Sequence, residues 1–191
     1  MARESLAGGR IKGGILRSRL ECLERQPIPG GLDGICVRVS PETARLLRAP
    51  LLPISWYPFR ALVEIDRAIA VALGGDERTA IVDLGRQSAR LNLSTIYRSY
   101  RKEHPLAFFE AATRIRRQYI DFGREKYERT GTTSCRISLS DCPWYAKVFC
   151  WSAFGYYEEA TRLNGGRDPT VQETECLCEG GNGCRFDIHW S

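Results

Sequence analysis

The period of the hydrophobic pattern changes close to Gly123, and this change constrains the fold more than any other feature of the sequence. Before it, apolar residues recur at helical spacing in the stretches 59–73, 76–102 and 105–122. After it, Cys135, Ile137 and Leu139 alternate with polar residues, as in a half-buried strand. Helices first and strands later are typical of an α+β domain.

The part of the chain after Gly123 predicts a small antiparallel sheet with a helix between its strands. Strands are expected at 124–130, 135–139, 170–174 and 184–190, and short turns between them favour antiparallel pairing. The stretch 143–163 predicts a helix that is apolar on most sides and therefore central and buried. Residues 1–54 are predicted to be an irregular N-terminal segment with short helices, part of the same domain as residues 55–191.

The bulk composition fits one globular domain without a membrane span. Hydrophobic residues make up 43% of the 191 residues, and no apolar stretch is long enough to cross a bilayer. A net charge of +5 permits an anionic partner without pointing to one. A small group of arginines at 114, 116, 117 and 124 accompanies no nucleic-acid-binding motif, so we do not expect nucleic acid as a partner.

Eight cysteines occur in a chain whose first residues do not have the pattern of a secretory signal. We therefore expect a cytoplasmic, reducing environment in which disulfides do not form. Dispersed cysteines are then buried apolar residues, whereas cysteines clustered among polar residues are typical of metal sites.

Three of the cysteines are predicted to meet near the C-terminus. Cys176 and Cys184 flank a Gly-rich turn, and Cys150 lies in the predicted buried helix that should cross the same sheet. Four such ligands in a tetrahedron bind zinc. Cys142 is excluded because eight helical residues separate it from Cys150, which is about 12 Å along the helix axis. Reduced structural cysteines around a tight turn are the alternative explanation.

The fourth ligand stays open on spacing alone. Glu173 precedes Cys176 by three residues, so on a regular strand the two side chains would face opposite sides. Glu173 joins the group only if the strand bulges near Thr174 and Glu175. Cys178 is the alternative fourth ligand.

The C-terminal third resembles the 4-vinyl reductase domain family, which includes the sensor domains of phenol-responsive bacterial transcription activators. The resemblance rests on Phe149-Cys150-Trp151, Gly155-Tyr156-Tyr157, Glu173-x-Glu-Cys176 and Cys184-Arg-Phe, with ligand intervals of 23, 3 and 8 residues. The whole chain is also similar to a myxobacterial family of single-domain proteins. The resemblance implies a structural zinc ion bound by Cys150, Glu173, Cys176 and Cys184. It further implies the fold of the TRAPP vesicle-tethering subunits, which are often dimeric.

These features predict a non-enzymatic module that binds or senses a small lipophilic or aromatic molecule. Its pocket is expected among Phe108, Tyr119, Trp144, Phe149 and Trp151, although the same aromatic residues would also suit a packed core. We further expect a homodimer and a downstream protein partner.

Two other functions compete with the sensor. The first is a dimeric protein–protein interaction scaffold without a ligand, and a cavity of about 300 Å³ or more would favour the sensor over it. The second is a reductase-associated enzyme subunit. It is disfavoured because the chain has no dinucleotide-binding fingerprint and a four-ligand metal site leaves no open position for catalysis.

Overall fold

The computed structural model of the chain describes residues 8–25, 28–95 and 98–191. Within these ranges, helices and two antiparallel sheets alternate in an α+β arrangement. The strands are β1 (Arg10–Lys12), β2 (Trp56–Pro58), β3 (Arg124–Arg129), β4 (Ser134–Ser140), β5 (Thr170–Glu175) and β6 (Cys184–His189). The helices are α1 (Gly13–Arg25), α2 (Gly31–Cys36), α3 (Pro41–Arg48), α4 (Phe59–Leu73), α5 (Glu77–Ser94), α6 (Pro105–Ile115) and α7 (Lys147–Leu163).

The larger sheet has the strand order β3-β4-β6-β5, and every neighbouring pair is antiparallel. Ile137 of β4 lies opposite Phe186 of β6, and both side chains are fully buried. The alternate residues on both strands face the core, because side chains on a strand point in turn to opposite faces. The predicted α+β class with helices on a small antiparallel sheet is therefore confirmed.

The second long helix is shorter than the pattern predicted. Asp76 caps its N-terminus by accepting a hydrogen bond from the Thr79 backbone N–H at 2.8 Å. Its C-terminus comes at Ser94, where the hydroxyls of Ser94 and Thr95 both donate to the Leu91 carbonyl oxygen. Such side-chain bonds offer the backbone an alternative to the helical pattern. Residues 96 and 97 of the predicted helix lie outside the described residues.

The N-terminal segment is more regular than predicted, because it forms β1 and three helices. β1 pairs with β2, and Ile11 bridges to Ile120, so both sides of residue 54 share one backbone hydrogen-bond network. α1 contributes Leu16 and Cys22 to the same hydrophobic cluster as α4 and α5. Among the described helices, none combines the length and apolar character needed to span a bilayer.

Candidate functional site

The structure brings four potential ligands together at the C-terminal end of the larger sheet. Cys150 comes from α7, Glu173 from β5, Cys176 from the residue after β5, and Cys184 from the first position of β6. One donor atom of each lies within 4.8 Å of the others. We call these four residues the cysteine–glutamate cluster.

A bulge in β5 places Glu173 in this cluster. The register against β6 shifts between Glu173, which lies opposite Phe186, and Glu175, which lies opposite Arg185. This irregularity is what the sequence required for Glu173 to point to the same side as Cys176. Cys178, the alternative ligand, is exposed and outside the cluster.

The sulfur atoms have the spacing of metal ligands. The Cys150 and Cys184 sulfurs are 3.7 Å apart, and those of Cys176 and Cys150 are 4.0 Å apart. A tetrahedral centre with metal–sulfur bonds of ~2.3 Å separates its sulfurs by about 3.8 Å. A disulfide would require about 2.05 Å, so the cluster consists of free thiols.

The three thiols of the cluster differ in their pKa. The hydrogen bond between the Cys150 and Cys184 thiols raises the pKa of Cys150 and lowers the pKa of Cys184 to about 7. Burial raises the pKa of Cys176 to about 11. A cation bound among the three sulfurs would favour their deprotonated forms.

Lys147 supplies positive charge at the edge of the cluster. Its Nζ lies 2.8 Å from Glu173 Oε2, 3.3 Å from Cys176 Sγ and 2.9 Å from Glu179 Oε1. The other Glu173 oxygen, Oε1, is buried and has no hydrogen-bond partner among the described residues. A buried carboxylate oxygen without a partner is costly, and a bound cation would satisfy it.

A second site is a cavity of about 210 Å³, which we call the central cavity. Side chains from α1, α5, α6 and α7 and from β3 contribute to its wall. Most of them are apolar or aromatic, and they include Ile15, Leu93, Phe108, Ala112, Ile115, Tyr119, Ile120, Phe149, Ala153, Tyr156 and Tyr157.

Three of the five predicted pocket residues, Phe108, Tyr119 and Phe149, line the central cavity. Trp144 instead lines a separate groove between β2 and α4, where it packs on Phe122. Trp151 is half-buried against the hydrophobic cluster that contains Leu16 and Cys22, and it is not part of the cavity wall.

The polar part of the cavity wall includes Arg19 and Arg116, and each of these side chains forms a buried ion pair that was not predicted. Arg19 donates to both Asp66 oxygens, at 2.6 and 3.1 Å, and to the hydroxyls of Ser88 and Ser152. Arg116 lies 3.3 Å from Glu125. The partners are 47 residues apart for Arg19 and nine residues apart for Arg116, so no helical or strand period predicts either pair.

The fold is similar to that of H-NOX proteins. No protein-family model and no curated protein matches the sequence. An H-NOX protein from S. oneidensis in the Fe(II)NO ligation state superposes with a TM-score of 0.71 at 12% identity, covering 95% of this chain and 99% of the other. An oxygen-binding H-NOX domain related to soluble guanylate cyclases gives 0.69 at 14% identity, covering 95% of both chains. A structure from a study of heme distortion in the H-NOX family gives 0.68 at 14% identity, again covering 95% of both chains.

This similarity corrects two expectations. The resemblance to the 4-vinyl reductase family is wrong, because the similar solved structures are H-NOX domains, and the TRAPP-like fold that it implied is not supported. The prediction of a structural zinc ion, which depended on that resemblance, is wrong by the same comparison, since the H-NOX proteins are heme proteins. Ligand intervals of 23, 3 and 8 residues describe a helix and a hairpin locally, and they do not determine the surrounding fold.

Proposed function

We propose that the chain is a non-enzymatic sensor module that binds a small molecule in the central cavity. The observation that carries the proposal is a largely apolar cavity of about 210 Å³ inside an H-NOX-like fold, with a few buried polar groups in its wall. Such a combination is typical of small-molecule sites. The similar H-NOX domains are described as binding oxygen or nitric oxide, which agrees with a binding module.

Heme is not the ligand that the cavity residues suit. Heme iron in proteins is held by His, Cys, Met or Tyr. His104 caps the N-terminus of α6, His189 is exposed on β6, and neither lines the cavity. All eight cysteines are described, and none of them lines it either. The single methionine, Met1, lies outside the described residues.

Of these ligand types, the described cavity wall offers only tyrosine. Burial raises the pKa of Tyr145 and Tyr156, which disfavours the phenolate that would bind iron. The cavity volume of about 210 Å³ also argues against heme. Pockets for drug-sized ligands, which are smaller than heme, already measure about 300–1,000 Å³. The residues present therefore do not fit heme.

The volume of the central cavity limits the size of the ligand that it can hold. Its volume of about 210 Å³ is below the 300 Å³ that we expected of a sensor pocket. A dry apolar cavity of ~150 Å³ binds benzene, so the central cavity suits a lipophilic or aromatic molecule with a single ring. The sensor hypothesis is kept, with a smaller ligand than the sequence suggested.

α7 provides a route from the cavity to the rest of the molecule. Phe149, Ala153 and Tyr157 of this helix line the cavity, while Cys150 reaches the sheet through the cysteine–glutamate cluster. A shift of α7 on ligand binding would therefore also displace the C-terminal hairpin. We propose that a downstream protein partner binds this hairpin and responds to its displacement.

Binding of small aromatic probes tests this function. We expect toluene to bind the wild-type chain, detected by NMR chemical-shift changes. Ala112→Leu on α6, which fills the cavity, should abolish binding. Ala107→Leu is the matched control, because Ala107 is exposed on the same helix. Failure of every neutral single-ring probe to bind, or toluene binding that survives Ala112→Leu, would overturn the sensor proposal and favour the ligand-free dimeric scaffold.

We also propose that the cysteine–glutamate cluster binds one thiophilic metal ion. The proposal rests on the four donor atoms and on the buried, unpartnered Oε1 of Glu173, and it does not need the 4-vinyl reductase resemblance. Three thiolates and one carboxylate suit a soft, tetrahedral ion.

Metal binding is tested independently of the cavity. Elemental analysis of the purified chain identifies any resident ion. Cd²⁺ should then give thiolate-to-metal charge-transfer absorption at one ion per chain. Cys184→Ser should remove that absorption, whereas Cys22→Ser should keep it, because Cys22 is packed in a different hydrophobic cluster. Absorption that is absent in the wild type, or unchanged in Cys184→Ser, would contradict the site.

A further inference from the structure

The charged groups in the wall of the central cavity are already neutralised by protein partners. The Arg19 guanidinium is 3% exposed and is held by both oxygens of Asp66. Arg116 donates to the Phe122 carbonyl oxygen at 2.7 Å and to the Tyr145 hydroxyl at 3.1 Å, and it pairs with Glu125. A charged ligand would find no unpaired counter-charge among these groups, so its desolvation would be uncompensated.

Neutral polar groups in the same wall are available for a ligand. Asn92 lies on α5 and lines the cavity, and only 7% of this residue is exposed. No described residue forms a hydrogen bond with its side-chain amide, although the amide can both donate and accept. The hydroxyls of Tyr156 and Tyr157 likewise have no partner among the described residues.

The Asn92 amide faces a largely apolar cavity without a hydrogen-bond partner among the described residues, so a purely apolar ligand that covered it would leave its hydrogen bonds unmade. Asn92 is therefore a group that a ligand would satisfy. Its complement is a neutral group that offers one acceptor and one donor side by side, as a carboxamide or a lactam does. The remaining wall is apolar and matches one ring.

We propose that the ligand of the central cavity is an uncharged, single-ring molecule whose carboxamide- or lactam-type group pairs with the side chain of Asn92. This inference rests on the proposed sensor function and specifies its ligand class. It excludes carboxylates and ammonium compounds of the same size.

Three probes of nearly equal shape, each tested on the full chain, distinguish a neutral amide, a charged and an apolar ligand. Benzamide carries the neutral donor and acceptor, benzoate carries a charge in the same outline, and toluene carries neither. We expect benzamide to bind at least tenfold more tightly than benzoate. We expect Asn92→Leu to weaken benzamide about tenfold while toluene binding is kept or strengthened.

The matched control is Asn182→Leu, because Asn182 is exposed on the hairpin before β6. Asn92→Ala serves as the second variant, since it removes the amide without adding bulk if the leucine disturbs folding. Benzoate binding as tightly as benzamide, or an unchanged ratio of benzamide to toluene in both Asn92 variants, would overturn the ligand class. In either case toluene binding leaves the sensor function standing, whereas failure of all three probes would overturn both proposals.

Discussion

Gly85 of α5 and Gly155 of α7 each lie against the backbone of the other helix. A methyl group on Gly155 would collide with the Val82 carbonyl oxygen, and one on Gly85 would collide with the Ser152 carbonyl oxygen. The two helices therefore cross at a separation that only glycine permits. This close crossing sets the position of α7, which carries residues of both the central cavity and the cysteine–glutamate cluster.

We predict that Gly155→Ala destabilises the protein by about 2 kcal/mol or more, because the obstacle is backbone and cannot rotate away. The free energy of unfolding from urea titration measures the effect. Gly8→Ala is the control, since a methyl group there meets no atom within 4 Å. Equal stability of the two variants would show that the helices do not cross this closely.

The buried pair of Arg19 and Asp66 predicts strongly non-additive mutations. Either Arg19→Met or Asp66→Leu alone leaves a buried, unpaired charge and should cost about 3–5 kcal/mol. The double variant should be more stable than the sum of the two losses implies, because no charge remains. A double-mutant cycle in urea measures the coupling, and simple additivity would refute the contact.

Asp187 predicts a loss of stability in acid. Two hydrogen bonds from Arg136, at 2.6 and 2.9 Å, lower the pKa of Asp187 below its usual value of about 3.9. A lowered folded-state pKa stabilises the fold above the unfolded-state pKa, and this stabilisation is lost as the pH falls through the folded-state value. Because both side chains are partly exposed, the contribution should be about 1 kcal/mol.

Asp187→Asn tests this pH dependence directly. The variant should be less stable than wild type at pH 7, and the difference should vanish towards pH 2. Asp33→Asn, which removes an exposed carboxylate, controls for the change in net charge. A wild-type minus Asp187→Asn difference that does not change with pH would contradict the assignment.

The sequence predicted the elements whose side chains follow a regular period. The alternation of Cys135, Ile137 and Leu139 identified β4 because that strand buries one face, and the bounds of α4 followed from its apolar positions and Gly74. Short helices were predicted within residues 1–54, but the many glycines and prolines there obscure the periods that would have set their bounds. β1 depends on pairing with β2, in which Ile11 lies opposite Tyr57, 46 residues later, and no local pattern encodes this pairing.

The candidate sites divide in the same way. The meeting of Cys176 and Cys184 was predictable, because ligands flanking one turn leave a spacing in the sequence, but the place of Glu173 depends on the bulge in β5 and spacing left it open. The aromatic part of the central cavity was predictable only in part, since an aromatic residue on α7 suits a core and a cavity equally well. The pairs Arg19 with Asp66 and Arg116 with Glu125 were not predictable, because each forms through tertiary packing alone.

The different exposures of the cysteines predict a simple pattern of thiol reactivity. Cys178 is the exposed one of the eight free cysteines, and the other seven are buried. Because reaction needs access to the sulfur, a disulfide reagent such as DTNB should modify one thiol rapidly in the folded chain and the others only on unfolding. Cys178→Ser should remove the rapid phase, whereas Cys22→Ser should leave it unchanged. A rapid phase that persists in Cys178→Ser would mean that a cluster thiol is accessible, and bound Cd²⁺ should then suppress it.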